Sequence, residues 1–398
     1  MGIDTLTLSG GITATSSNLG STSTITTGVM NGILKNGSNI VTLGSTAGLT
    51  VGSAVTGSGI TAGTIITAID SLNNTITLST NAAIGTVTGD SMLTFAGVGS
   101  MVLTSGAHTF NISAVSANGQ NLAPLQPTLS INGIVAGTGS IIKTGDGVLQ
   151  LTGPSTFSGG ISLQNGGLLF SSGSVFNAGT TGGVSAGPMG TGTLTMSGSN
   201  NLTLLTNTNL TIGNAVTFDA LFSGQFRFDS TVSTGSNLTL SGLVTLPDSV
   251  NINVINPGMT AALGQITRVG SVGNIVINKT GLGTLSLGAV TAGNTVTLNM
   301  NGGNLSLLND GDGTGSRQVI ASGITVSSTQ AMNLTVGRLG TVYAPLFTSA
   351  SNKLIQIAGS TGTAFTIGAL NVTNNNGYGL QITSDVTLGS NQVVNVSA

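Results

Sequence analysis

Between Gly139 and Phe170 the chain sets three short runs, Val148 to Leu151, Gly160 to Leu163 and Leu168 to Phe170, between corners of glycine, asparagine and proline. Apolar and polar residues largely alternate within each run, as they do in short strands. This segment constrains the fold more than any other, because the unit it describes is one coil of a β-solenoid. A second version begins at Lys279 and runs to Leu287, followed by Thr295 to Leu298 and Asn301 to Leu307. A recurring corner-strand-corner unit marks a stacked architecture.

Composition follows from that geometry. Tight, repeated corners call for left-handed φ, which glycine adopts without steric cost, and 63 of the 398 residues are glycine. Thr and Val carry the strands between corners. Parallel coils stack like on like about 4.8 Å apart, so a charge on one coil would face its counterpart on the next. Neutral Thr, Ser and Asn are therefore expected outside, with polar ladders hydrogen-bonding along the axis.

The motif Lys143-Thr-Gly-x-Gly-x-Leu-x-Leu151, then Thr156-Phe-Ser-Gly-Gly160, Asn165-Gly-Gly-Leu168 and Gly187-Pro-Met-Gly-Thr-Gly-Thr-Leu194, resembles the autotransporter-associated β-strand repeat of Gram-negative passenger domains. The resemblance covers residues 134 to 195; the lysine-headed part occurs twice, at Lys143 and Lys279. It implies an all-β fold, a right-handed single-stranded parallel β-helix outside the cell. It implies no single activity, because such shafts carry proteases, adhesins and inert spacers alike.

The wider composition excludes several classes. There is no Glu, Cys or Trp, all ten acids are Asp, and only four Lys and four Arg are present. Little is available to build solvated amphipathic helices. The 39% apolar share is enough for a continuous core, unlike that of a disordered polar chain. A net charge of −2 without a basic cluster predicts no nucleic-acid partner. No run of about 18 apolar residues occurs, so no membrane-spanning helix is expected. Met1 to Leu6 has neither the basic nor the apolar region of a signal peptide, so an exported chain would be a processed or recombinant piece.

Residues 1–31 read as the first β-helix coils. From Gly32 the style changes to denser strands: Asn39 to Leu43, Gly48 to Gly52, Ala54 to Ile60, Gly63 to Asp70, Asn74 to Ser79 and Met92 to Phe95. This pattern resembles a small all-β module that recurs in phage structural and bacterial surface proteins. Residues 32–97 are accordingly expected as an inserted module, since solenoid corners tolerate insertions, and residues 98–398 as the main shaft. Pro124 and Pro127 read as a break or loop, because proline cannot donate within a ladder.

Few residues have the chemistry of a site. A polysaccharide hydrolase would need convergent carboxylates; Asp219, Arg227 and Asp229 form one close set, read as a packed strand with outward charges. Asp310 and Asp312 lie in an Asn-Asp-Gly-Asp loop with calcium-like oxygens but no closing Glu, read as a plain acidic corner. The one histidine, His108, reads as an exposed strand or corner residue, and Asp90-Ser91 lacks the glycine of a serine-protease context. Thr-x-Thr steps at Thr5, Thr75, Thr193 and Thr295 could build an ice-binding array but follow no strict short period. No catalytic, cofactor-binding or metal-binding residue is expected.

These readings lead to a non-enzymatic, extracellular structural or adhesive protein of the bacterial surface, a shaft or self-associating fibre subunit. The expected partners are copies of itself, as a homo-oligomer or filament, and surface or host glycans. Self-association is expected through neutral flanks or coil ends such as Gln392 to Ala398, which shows no polar or helical cap. Two rival classes are a carbohydrate-active β-helix enzyme and a viral or phage fibre.

Overall fold

The computed structural model describes residues 6–308, apart from 17–18, 27–28, 44–45, 47–48, 50, 85–87, 96–99, 118–119, 178–182, 289 and 292, and strand segments between 318 and 397. Every regular element among the described residues is a β-strand. Long parallel sheets dominate. One eight-stranded sheet stacks Ile12–Ala14, Ala107–Ile112, Ser140–Thr144, Ile161–Leu163, Leu194–Met196, Val216–Phe218, Val244–Leu246 and Ile266–Arg268. A ten-stranded sheet runs from Ser23–Thr26 through Val148–Leu151, Gly166–Phe170, Leu202–Thr206 and Gln225–Ser230 to Ile324–Val326. A second eight-stranded sheet runs from Leu210–Ile212 through Leu238–Leu240, Thr260–Leu263 and Thr284–Leu287 to Val394–Ser397.

From Leu194 to Leu287 the strands fall to these three sheets in rotation, so that Val216–Phe218, Gln225–Ser230 and Leu238–Leu240 are followed by Val244–Leu246, Ser249–Val254 and Thr260–Leu263. Like stacks on like. Leu129 faces Leu149, which faces Leu168, then Leu204, Phe228 and Val254. Because side chains alternate across a strand, this register gathers the inward residues into one apolar cluster extending from Ala14 to Leu334. Leu149, Leu151, Ile161, Leu163, Leu168, Leu285 and Leu287 all lie in it, as the alternation predicts. Pro127 opens the strand Pro127–Asn132, with a register shift between Pro127 and Leu129. A first position beside a bulge needs no amide donor, so the expected break is a strand start.

A different sheet occupies the stretch from Val29 to Phe95. Its six strands lie in the order Val55–Gly57, Thr88–Phe95, Val29–Lys35, Ile40–Leu43, Thr75–Leu78 and Ile66–Asp70. All of its pairings are antiparallel. It has an apolar cluster of its own, including Leu34, Val41, Val55, Ile66, Ile76, Leu93 and Phe95. Alternation is plain in Ile40–Leu43, where Val41 and Leu43 are buried and Ile40 and Thr42 exposed.

On the outside of the ten-stranded sheet, amides bond along the stacking direction. Asn278 Nδ2 donates to Asn251 Oδ1 at 3.0 Å and Asn299 Nδ2 to Asn278 Oδ1 at 2.7 Å. Parallel in-register stacking puts these like side chains side by side, and each amide both donates and accepts.

Candidate functional site

The lysine that heads the repeated motif is inside the protein. Alternation in Ser140–Thr144 turns Ile141 and Lys143 inward, and Lys143 is 0% exposed. Its Nζ donates to the carbonyl oxygens of Thr144 (2.8 Å), Gly145 (2.8 Å) and Asn165 (3.1 Å). Lys279, also 0% exposed, repeats the arrangement with Thr280 (2.8 Å), Gly281 (2.9 Å) and Gly302 (3.1 Å). An ammonium carries three protons, and each has an acceptor. Two acceptors belong to the lysine's own corner and the third to a later corner, so the side chain clasps two corners from within.

The glycine two residues on completes the device. Gly145 has φ +71° and Gly281 φ +79°, and a Cβ there would sit 2.3 Å from the Ile112 carbonyl oxygen or 2.2 Å from that of Val254. Burial lowers the Lys143 amine to about 7, with Asp146 pulling it upward, and lowers the Lys279 amine to about 8. The two copies lie on different sheets, Lys143 between Phe110 and Leu163 and Lys279 between Ile252 and Met300. The shared element is the corner. Parity with Ile141 and Ile277 is the sequence signal that finds these lysines.

His108 requires a correction. It is 3% exposed, whereas the sequence suggests an exposed residue. Ala107–Ile112 alternates outward and inward, so His108 shares its side with Phe110 and Ile112. Nδ1 lies 2.9 Å from the Gly10 carbonyl oxygen and Nε2 2.9 Å from that of Thr104. The ring bridges the segments at Gly10 and Thr104. A neutral imidazole can donate to only one of them, an imidazolium to both.

The acids do not converge. Asp219 is exposed, and its Oδ1 accepts from the Leu221 amide at 3.0 Å. Asp229 lies in the outer row as expected, but it is covered there, 9% exposed, like its row neighbours Leu205 and Leu169. Burial raises the Asp229 carboxyl above its usual range, opposed by the Ser230 amide and Arg227. Asp219 follows a strand of the first eight-stranded sheet, while Asp229 lies in the ten-stranded one.

Other sequence candidates also fall apart. Ser91 Oγ donates to the Ser58 carbonyl at 2.9 Å within the antiparallel sheet, while His108 belongs to a parallel one. Thr75 and Thr77 lie in the antiparallel sheet and Thr295 and Thr297 in the ten-stranded one, so they share no array. Asp310 and Asp312 lie outside the described residues. Among the described residues no group of three His, Cys, Asp or Glu is placed to hold a metal, and no helix is long and apolar enough to cross a membrane.

One concavity on the outer surface does gather polar groups. Val148, Gly167, Thr203 and Arg227 face one another across four neighbouring strands of the ten-stranded sheet. Corner residues Asp146, Asn165, Asn200 and Asn201 precede three of those strands, and together they line a groove of about 340 Å³. No sequence period brings these residues together, because the coils that supply them differ in length.

No protein-family model matches the chain, and no solved structure matches it. Among curated proteins, it is 38% identical over 85 residues to the adhesin BmaC autotransporter of Brucella suis biovar 1. The match takes in 19% of this chain and 2% of that protein. Over part of its length, the chain is similar to an autotransporter adhesin.

Proposed function

We propose that this chain is a non-enzymatic adhesive protein of the bacterial surface, a shaft that presents its outer faces and its antiparallel sheet to other surfaces. The observation that carries the reading is the partial similarity to an autotransporter adhesin in a chain whose parallel sheets take strands in rotation. In this reading the parallel sheets close into a right-handed single-stranded β-helix of the autotransporter-associated repeat type, and residues 32–97 project from it as an inserted module. The separate cluster of that stretch supports the division. The shaft acts outside the cell through contact, not turnover, and its partners are other copies of itself and surface glycans. Low charge supports self-association, since a net charge of −2 offers little repulsion between flanks.

Attachment tests the reading. Beads coated with the chain should bind fixed mammalian cell layers well above albumin-coated beads. Attachment at the albumin level would overturn the adhesive role. Cleavage of a polysaccharide, lost in Asp219→Asn or Asp229→Asn, would overturn the non-enzymatic one.

A further inference from the structure

We propose that the groove at Arg227 binds a terminal acidic saccharide, a sugar ring carrying one carboxylate; this deepens the adhesive reading and rests on it. The shape comes first. Gly166 and Gly167 form part of the lining, and a Cβ on Gly167 would sit 3.0 Å from Leu205 Cδ1 and 3.2 Å from the Thr203 carbonyl oxygen. A larger residue would fill the space that glycine leaves. At about 340 Å³ the groove lies at the small end of ligand sites, which run from about 300 to 1,000 Å³. It suits the end of a glycan.

The chemistry of the rim is specific. Asn165 Oδ1 accepts from the Gly166 amide at 2.8 Å, and Asn201 Oδ1 from the Gln225 amide at 3.0 Å. Asn200 Nδ2 donates to the Gln164 carbonyl at 3.1 Å, and Asp146 Oδ1 accepts from the Ala114 amide at 3.0 Å. Each bond fixes a side chain by one arm. The other arms, Nδ2 of Asn165 and Asn201, Oδ1 of Asn200 and Oδ2 of Asp146, have no hydrogen-bond partner among the described residues. Two donors and two acceptors complement sugar hydroxyls, which give and take together.

Arg227 selects the acid. Its Nε is buried without a partner, and the nearby Asp229 accepts instead from the Ser230 amide at 2.8 Å. A planar fork with unspent donors matches a carboxylate. Asp146 in the same groove disfavours a dianionic phosphate but can accept from the hydroxyls of a singly charged sugar acid. Pro124 supplies the apolar contact.

Saturation-transfer NMR on the full chain tests this with D-glucuronate and N-acetylneuraminate, and D-glucose as the neutral control. Both acids should bind with Kd of about 1 mM, as expected for weak ligands of this size, and glucose about tenfold more weakly or less. Arg227→Gln should raise Kd for the acids about tenfold or more. Asn200→Ala, on the exposed rim, should raise it about threefold and serves if Arg227→Gln fails to fold. Absence of transfer to either acid, equal binding of glucose, or unchanged Kd in the folded variants would overturn the proposal. If wild-type beads still attach to cells in that event, only the groove assignment falls; wild-type beads that do not attach remove the adhesive reading itself.

Discussion

Replacing Lys143 with methionine removes the ammonium while keeping a long, unbranched stem inside the core. Above about pH 7 the buried amine is neutral and has two N–H donors, so two of the three carbonyl acceptors lose a donor, which costs about 4 kcal/mol at about 2 kcal/mol for each buried acceptor. The substitution also removes a penalty. Burial lowers the amine from 10.5 to about 7, so at about 1.4 kcal/mol per unit the lysine costs about 4 kcal/mol at pH 7, where it is half deprotonated, and about 2 kcal/mol at pH 9. The net loss is therefore about 0 kcal/mol at pH 7 and about 2 kcal/mol at pH 9. The sign follows from proton binding: between about 7 and 10.5 the unfolded chain holds a proton that the folded chain has released. Wild-type stability thus rises with pH across that window, and the methionine variant loses this rise. A stacked protein opens locally, so the assay is hydrogen exchange in peptides spanning residues 140–170, corrected for intrinsic exchange rates. Peptides around Lys279 act as an internal control, because distant sites add independently. A variant as protected as wild type at pH 9, or one hurt more at pH 7 than at pH 9, would refute the clasp.

Gly145→Ala should cost about 2–3 kcal/mol, since it combines left-handed φ with a contact to the Ile112 carbonyl, and an unchanged thermal midpoint by circular dichroism would count against the corner account. Asn278→Ala breaks two outer amide bonds and should cost only about 1 kcal/mol, seen as faster exchange confined to 249–300. Deleting 29–95 removes the antiparallel sheet with its own cluster and should leave a β-rich, protease-resistant remainder. Wholesale unfolding would show that these residues are part of the parallel stack.

Alternation was the legible part of the sequence. It locates Val148–Leu151 and the inward leucines because neighbours two apart share a side whatever the tertiary setting. The same rule places Lys143, Lys279 and His108 inside, against the chemical habit that puts charged and titratable residues outside. There parity prevails, because corners supply carbonyls for the buried nitrogens. Long-range pairing was not legible. Nothing local in Val29–Lys35 reveals that it pairs with Thr88–Phe95. The groove was hidden for a similar reason: its residues come from coils of unequal length, one enlarged by the hairpin of Val175–Phe176 and Val184–Ala186.

We propose that stacked parallel strands, clasped from within by lysine, close into a shaft. A crystal structure or cryo-electron-microscopy map of the chain tests it most directly. Such a structure should show right-handed winding, three parallel faces closed around one apolar core, and the amines of Lys143 and Lys279 inside against corner carbonyls. Left-handed winding, sheets open to solvent on both faces, or lysine side chains pointing outward would contradict it.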